Sequence, residues 1–156
     1  MKHLAAVLVS AFLASAAHGD ALVGADGHWR GTGTGHDFDG VIRDIRCRLD
    51  VSTAETGRID LRGSCAGPDG SQSFRLFVRS SSEPRRVEGG RLTASGDEVS
   101  PFFSGTSDET AFSLQGSHGQ SAISIEVQRH GEMLRMISTR VRGGRAERSD
   151  VLYRRS

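Results

Sequence analysis

The stretch IRCRLDVSTAETGRIDLRGSC, residues 45–65, consists of two runs in which apolar and polar side chains alternate. In the first run, Ile45, Cys47, Leu49 and Val51 share one parity, and arginine or aspartate occupies the positions between them. The second run, 59–65, has the same pattern. Alternation with a period of two indicates a β strand with one buried and one solvent-facing side. We therefore predict two strands joined by a turn at 53–57.

Folding the stretch about Thr56 gives an antiparallel register that opposes Cys47 with Cys65 and Asp50 with Arg62. Opposed residues in such a pair lie about 4.5–5.5 Å apart at their Cα atoms, a separation that a disulfide tolerates. We predict a Cys47–Cys65 disulfide, which contributes roughly 3 kcal/mol by closing the intervening loop. A metal site or a catalytic thiol is the alternative, but no histidine lies between the cysteines and they form no C-x-x-C motif.

The rest of the chain favours an all-β domain, with 20 glycines, 3 prolines and no sustained helical periodicity. Short alternating runs recur between turn residues. The further predicted strands lie at 74–78, 86–94, 111–116, 121–128, 133–141 and 151–153. A β sandwich is one arrangement. We predict instead a small antiparallel up-and-down barrel of about eight strands, because consecutive hairpins build it and closure leaves no open edge.

The first strand is predicted from HWRGTGTG, residues 28–35, in which three glycines occupy every second position. A dinucleotide-binding loop needs G-x-G-x-x-G, and here the sixth position is His36. A phosphate-binding loop needs lysine after its last glycine, and here Val41 follows Gly40. The glycines instead fit the inner face of a barrel strand, where they let the barrel wall approach its own interior closely. Trp29 would then plug the end of the barrel.

Gly27-His28-Trp29 resembles the G-x-W start of lipocalin-type barrels. The resemblance implies that Trp29 packs beneath an arginine from the last strand. The segments WRGTG, IRCRL and GSCA also resemble a group of small exported bacterial β-barrel proteins of unknown function. That resemblance implies a lipocalin-like barrel with one disulfide, and no particular activity.

The same layout of tryptophan and cysteines is similar to that of bacterial periplasmic metalloprotease inhibitors, which are eight-stranded barrels with one disulfide. Those inhibitors act through an N-terminal trunk that enters the protease cleft. The counterpart implied here is the segment 20–27. Inhibition of a metalloprotease through this segment is therefore the alternative function.

The start of the chain has the pattern of a secretory signal peptide, with a basic residue before an apolar run at 4–14 and small residues after it. Cleavage is predicted after Gly19 or Ala16. The apolar run is too short to span a bilayer, which requires about 20 residues. The predicted parts are a signal peptide at 1–19, a short N-terminal segment at 20–27 and a single barrel domain at 28–156. We expect a periplasmic or secreted protein without a membrane span.

Charge gives no sign of a nucleic-acid partner. The 20 basic side chains are Lys2 and 19 arginines, and the acidic side chains also number 19. Loss of the signal peptide would leave a side-chain charge of zero, so long-range attraction to nucleic acid is not expected. The stretch 140–156 is rich in arginine and could contact an anionic surface or acidic partner, and a solvated end around the last strand is the alternative.

No catalytic motif is apparent in the sequence. The closest approach to a serine-nucleophile elbow, at 119–123, lacks the final glycine. The segment 36–40 has the acid spacing of a calcium loop but lacks the later ligands. We therefore expect no enzyme, no metal and no cofactor.

Three phenylalanines are candidates for partner binding. Phe77 has the parity of Arg75 and Arg79, so it should face outward. Phe102 and Phe103 are adjacent, so in a strand one of them must leave the core. Exposed aromatic side chains are typical anchors of recognition surfaces, although a loop or a dimer partner could cover them. We predict a non-catalytic binding module for a small ligand or an envelope partner.

Overall fold

The computed structural model describes residues 22–54, 57–99 and 102–156, and in this part of the chain it consists of ten β strands without a helix. The strands are β1 (Gly27–His36), β2 (Ile42–Thr53), β3 (Ile59–Gly67), β4 (Gly70–Ser80), β5 (Arg86–Arg91), β6 (Phe103–Ser107), β7 (Ala111–His118), β8 (Ser121–His130), β9 (Met133–Arg142) and β10 (Arg145–Arg155). The predicted signal peptide, 1–19, lies outside the described residues. Within the three described ranges there is no helix of the length and hydropathy needed to cross a membrane.

The strands form one closed antiparallel barrel, in which each strand pairs with its neighbours in sequence and β10 pairs with β1. The predicted all-β up-and-down barrel is confirmed. The described barrel has ten strands rather than about eight, and the one strand not predicted individually is β6, which carries almost no alternating pattern. Its first inward side chain is Phe103, but the next inward position, opposite buried Leu114, is Gly105. Glycine has no side chain to mark the buried face.

The β2–β3 hairpin has the predicted register, with Cys47 opposite Cys65 and Asp50 opposite Arg62. The two sulfur atoms are bonded, and the Cα atoms of the cysteines lie 4.1 Å apart. The disulfide prediction is confirmed. The charge pairing differs, since Asp50 forms its ion pair with His28 on β1.

The barrel is closed at the end where β1 begins. Leu22 and Ala25 are buried there together with Trp29, which is 1% exposed. The indole N–H of Trp29 donates a 2.9 Å hydrogen bond to the carbonyl oxygen of Ala25. The guanidinium carbon of Arg155, on β10, lies 4.8 Å from the centroid of the indole ring. The contact implied by the lipocalin resemblance, a tryptophan beneath an arginine from the last strand, is present.

Arg155 also fixes residues 22–26 to the barrel. It donates hydrogen bonds of 2.7 Å to the carbonyl oxygens of Gly24 and Asp26. The carboxylate of Asp26 accepts a 2.6 Å hydrogen bond from the backbone N–H of Thr53. A segment packed in this way does not fit a trunk that projects into a protease cleft, which the inhibitor resemblance implied for 20–27. Residues 20 and 21 lie outside the described part.

The glycines of β1 let this strand approach β10. A Cβ atom on Gly33 would overlap the carbonyl oxygen of Asp150, and one on Gly31 would press on side chains of β10. A Cβ atom on Gly35 would meet only Ile45, at an ordinary contact distance of 3.5 Å. HWRGTGTG is therefore a barrel strand, and its closest contact with β10 requires glycine at position 33.

Gly33→Ala is expected to lower the free energy of unfolding by about 1–3 kcal/mol, because the added methyl group forces two backbones apart. Gly35→Ala is the matched control on the same strand and face. It should cost nothing, since alanine is favoured over glycine in a strand where it fits. Urea unfolding followed by circular dichroism measures both changes. Equal losses in the two variants would show that close approach at Gly33 is not the cause.

Candidate binding site at the open end

At the opposite end of the barrel, where β1 ends, the described residues include no apolar plug comparable to Trp29. Four apolar side chains pack against the core here and remain partly exposed. These four, which we call the apolar ring, are Ile45, Phe74, Phe102 and Ile123. All of them lie within a few residues of strand ends at this side of the barrel. The apolar side chains nearest the open end are therefore only partly shielded from solvent.

Towards the open end, polar side chains occupy the inward positions of β9 and β10. Met136 is buried in the core, and the next inward residue on β9 is Ser138. Its hydroxyl oxygen lies 2.8 Å from that of Ser149 on β10. One inward position further, Arg140 forms a 2.5 Å ion pair with Glu147. The inner wall thus changes from apolar to charged as it reaches the rim.

The β1–β2 loop, residues 37–41, lies against the arginines of this rim. The guanidinium carbons of Arg140 and Arg142 are 5.0 and 5.2 Å from the centroid of the Phe38 ring. Arg145 donates a 3.0 Å hydrogen bond to the carbonyl oxygen of Phe38 and forms an ion pair with Asp39. A cation–π contact at an exposed position contributes about 0.5–1 kcal/mol. Several weak contacts therefore hold the loop.

Asp37 organises this loop. Its carboxylate accepts hydrogen bonds of 2.9 Å from the backbone N–H groups of Asp39 and Val41 and one of 2.7 Å from Arg43. The hydrogen bond from Arg43, followed by that from Val41, holds the pKa of Asp37 below its ordinary value. Arg43 also pairs with Asp69 in the β3–β4 turn. The aspartate at position 37 in the segment 36–40 thus stabilises the turn through hydrogen bonds to its backbone. The described ranges contain no cluster of three or more side chains that could hold a metal ion.

Arg142 differs from Arg43, Arg140 and Arg145 in its lack of an acidic partner among the described residues. Arg43, Arg140 and Arg145 each pair with a carboxylate. Arg142 is exposed, rests on the Phe38 ring and takes part in none of the ion pairs among the described residues. A guanidinium group binds carboxylate or phosphate with two parallel hydrogen bonds. Arg142 is therefore the point at which an acidic ligand would attach.

The interior of the barrel offers little free space. A pocket near the closed end, lined in part by Ile59, Val78, Val87 and Phe112, has a volume of about 10 Å³. Ligand pockets usually measure ~300–1,000 Å³. This pocket is therefore too small for a ligand larger than water.

The adjacent aromatic candidates occupy different environments. Phe103 is 4% exposed and belongs to the core, so its predicted partner-binding role does not fit its position. Phe102 belongs to the apolar ring, with its ring centroid 4.2 Å from that of Phe103 and 5.6 Å from that of His118. Phe102 precedes the first residue of β6, whereas Phe103 is part of that strand. Of the two, only Phe102 remains at a surface that a ligand can reach.

The prediction that Phe77 is exposed was wrong. The side chain lies on the outer face of β4, where a Cβ atom on Gly90 would touch its ring, but its exposure is 0%. Residues 92–99, which we call the outer flap, fold back over this face. Leu92 is buried with Phe77, and the carbonyl oxygen of Thr93 accepts a 3.4 Å hydrogen bond from Arg75. Alternation indicates which face a residue occupies, but not what covers that face.

An ion-pair network fastens the outer flap to the barrel. Glu98 of the flap pairs with Arg58 at 3.2 Å and with Arg79 at 2.6 Å. Asp60, which is 6% exposed, lies 2.7 Å from Arg58, and Glu88 lies 2.6 Å from Arg79. Nη2 of Arg58 donates a 2.9 Å hydrogen bond to Oδ2 of Asp60, whereas Nε of Arg58 and Oδ1 of Asp60 lie close together without forming one. The network keeps Phe77 covered and unavailable to a partner.

Sequence reasoning did not identify the site at the open end. The loop 36–40 and the arginine-rich stretch from 140 are both visible in the sequence, but they are far apart in it, with a separation of 107 positions between Phe38 and Arg145. Only the pairing of β1 with β10 brings Phe38 to Arg140 and Arg142. The signal that could have found them is the circular strand order of a closed barrel, which makes the first and last strands neighbours.

No family model matches the chain, and no curated protein matches it. Among solved structures, the chain is similar to the S-type phycobiliprotein lyase CPES from Guillardia theta, with a TM-score of 0.64 and 12% sequence identity. The likeness covers 84% of this chain and 88% of that chain. The two chains share a fold. At this level of identity the comparison supports the barrel architecture alone.

This comparison also corrects one expectation. The lack of a catalytic motif led to the prediction that the chain is not an enzyme. That prediction is contradicted by the similar structure, because a barrel of the same fold is described as a lyase. A strand pattern without a familiar catalytic motif does not exclude catalysis on this fold.

Proposed function

We propose that the chain is a binding module that takes a small amphipathic anion at the open end of its barrel. The acidic group of the ligand lies at Arg142, and its apolar part lies against the apolar ring. The observation that carries the proposal is the guanidinium of Arg142, which rests on Phe38 and has no carboxylate partner among the described residues. The likeness to the phycobiliprotein lyase supports the barrel as the frame of the site.

The polar half of the site consists of side chains on β9 and β10. Arg142 supplies positive charge at the rim. Ser138 and Ser149, whose hydroxyl groups form a hydrogen bond with each other, lie further in and can donate to a second oxygen of the ligand. The nearby Arg140 is already neutralised by Glu147. A ligand with one negative charge therefore matches the arrangement better than a polyanion.

The apolar half of the site is the apolar ring. Its four side chains pack against the core and are only partly buried. Removing apolar surface from water contributes about 25 cal/mol per Å². An aromatic or aliphatic group of the ligand that covers the apolar ring buries apolar surface that the protein alone leaves exposed to solvent.

Entry of the ligand requires little reorganisation, because the ion pair that holds Asp39, next to Phe38, against the rim is exposed. In the ion pair between Arg145 and Asp39, the side chains are 58% and 73% exposed. Exposed pairs of this kind contribute about 0–1 kcal/mol. Phe38 can therefore move away from the rim at a small cost in free energy. This movement would enlarge the site at the open end.

Anilinonaphthalene sulfonate, a fluorescent anion with an apolar ring system, is a suitable probe. It should bind the wild-type protein saturably, and Arg142→Gln should weaken the affinity about tenfold or more, since a hydrogen bond to a charged group contributes about 1.5–3 kcal/mol. Arg85→Gln, which removes an exposed arginine between β4 and β5 at the closed end, is the matched control and should bind as the wild type does.

The uncharged parent compound, anilinonaphthalene, tests the apolar half separately. It should bind the wild type and Arg142→Gln with the same affinity. Absence of saturable binding of the sulfonate to the wild type would overturn the proposal. So would an equal weakening by Arg142→Gln and Arg85→Gln, because only net charge would then matter.

We further propose a periplasmic or secreted location. The signal-peptide pattern at 1–19 supports it. The Cys47–Cys65 disulfide supports it too, because structural disulfides persist in oxidising compartments. Ligands offered to the open end would then come from the cell envelope or the medium.

A further inference from the structure

A group of arginines covers one side of the barrel wall, away from the open end. Arg30 on β1 lies directly opposite Arg48 on β2 and directly opposite Arg154 on β10. Arg46 lies two residues from Arg48 on the same face of β2. All four side chains are exposed and point outward, because Trp29, Cys47 and the other residues of opposite parity are buried. We call these four residues the arginine wall.

The arginine wall is not neutralised by the part of the chain that the structure describes. Asp44 and Asp50 flank it on β2, but neither lies within ion-pair distance of a wall arginine, and Asp50 pairs with His28. Some outward arginines elsewhere differ, since Arg135 holds Asp150 with hydrogen bonds of 2.9 and 2.6 Å. The wall is therefore a distinct positive patch.

The barrel itself gains nothing from this arrangement. Like charges directly opposite each other on neighbouring strands are destabilising. Here one arginine stands between two others, so the repulsion acts twice on Arg30. An external anion that bridges the guanidinium groups would relieve this repulsion. The arginine wall is thus better explained by binding of an anion than by a contribution to the stability of the barrel.

An exposed apolar residue inside the patch indicates the kind of partner. Leu152 is 38% exposed and points outward from β10, two residues from Arg154 and opposite Thr32. Anionic lipid surfaces attract basic side chains to their phosphates and accept an apolar side chain among the headgroups. Single-stranded nucleic acid would call for aromatic side chains on which bases stack, and the wall residues include none.

We propose that the arginine wall docks the barrel sideways on a membrane surface rich in anionic phospholipid. The guanidinium groups of the wall bind lipid phosphates, and Leu152 enters the headgroup region between them. The site is separate from the open end, so docking and ligand binding fail independently. Docking in this orientation leaves the open end facing along the membrane surface.

Co-sedimentation with vesicles tests the proposal. The full chain, without its signal peptide, should sediment with vesicles of equal parts phosphatidylcholine and phosphatidylglycerol, and not with phosphatidylcholine alone. Arg30→Gln/Arg48→Gln should weaken the partition about 25-fold, since each arginine near an anionic surface contributes about fivefold. Leu152→Ser should weaken it further, and raised salt should abolish it.

The charge-matched control is Arg85→Gln/Arg86→Gln, which removes two exposed arginines at the junction of β4 and β5. It should sediment as the wild type does. Thermal unfolding of Arg30→Gln/Arg48→Gln should show no loss of stability, because the substitutions remove repulsion. Equal loss of sedimentation in both double variants, no binding by the wild type, or binding to an RNA oligonucleotide without binding to vesicles would overturn the proposal.

Discussion

Trp29→Ala is expected to lower the free energy of unfolding by about 3–5 kcal/mol, the usual cost of truncating a large buried aromatic side chain. The ring is 1% exposed and forms the floor of the closed end. Its loss leaves the buried Leu22 and Ala25 without their packing partner and the Ala25 carbonyl oxygen without its donor. Arg155 also loses the ring over which it lies.

Urea unfolding followed by circular dichroism measures this change. Trp29→Phe is the matched control, because it keeps an aromatic ring and removes only the N–H donor and part of the volume. It should cost distinctly less than the alanine variant. A loss below about 1 kcal/mol for Trp29→Ala would be within the range of ordinary substitutions and would contradict the role of the residue as a plug.

Removal of the disulfide by Cys47→Ala/Cys65→Ala is expected to cost about 3 kcal/mol, because the unfolded chain gains the freedom of the loop that the bond closes. For a domain of this size the midpoint of thermal unfolding should fall by roughly 6–12 °C. Reduction of the wild type should have a similar effect, and the double variant should not respond to reductant. An unchanged midpoint on reduction would show that the bond does not contribute to stability.

Intact mass of protein recovered from its host tests the bond and the location together. Alkylation without prior reduction should leave the mass unchanged, because no thiol is free. The same spectrum should show a chain that begins after Gly19 or Ala16. Two alkylated cysteines, or a chain that retains residues 1–19, would contradict export into an oxidising compartment.

The β2–β3 hairpin could be predicted to the residue because several independent patterns agreed on it. Apolar side chains matched across the two strands, and the same register opposed the cysteines. β6 could not be predicted in this way, because Gly105 leaves one buried position without a side chain. The alternation of apolar and polar residues predicts the strands of this chain wherever the inward-facing side chains are large.

The candidate site was beyond sequence reasoning because it depends on contacts between distant segments. Phe38 meets Arg140 and Arg142 only after the barrel has closed. Phe77 was placed on the correct face, yet its exposure depends on a flap that begins more than ten residues further along the chain. Parity assigns a side chain to a face, and the path of the loops decides whether that face meets solvent.

Pairing of β1 with β10 has a consequence for how the barrel assembles. The hairpin β2–β3 joins segments that are close in sequence, and loops of that length close within microseconds. The seam between β1 and β10 joins residues more than a hundred positions apart, for example Trp29 and Arg155. Such contacts raise the contact order and slow folding. The barrel can close only when β10 is in place, so a chain without β10 would leave the edges of β1 and β9 unpaired.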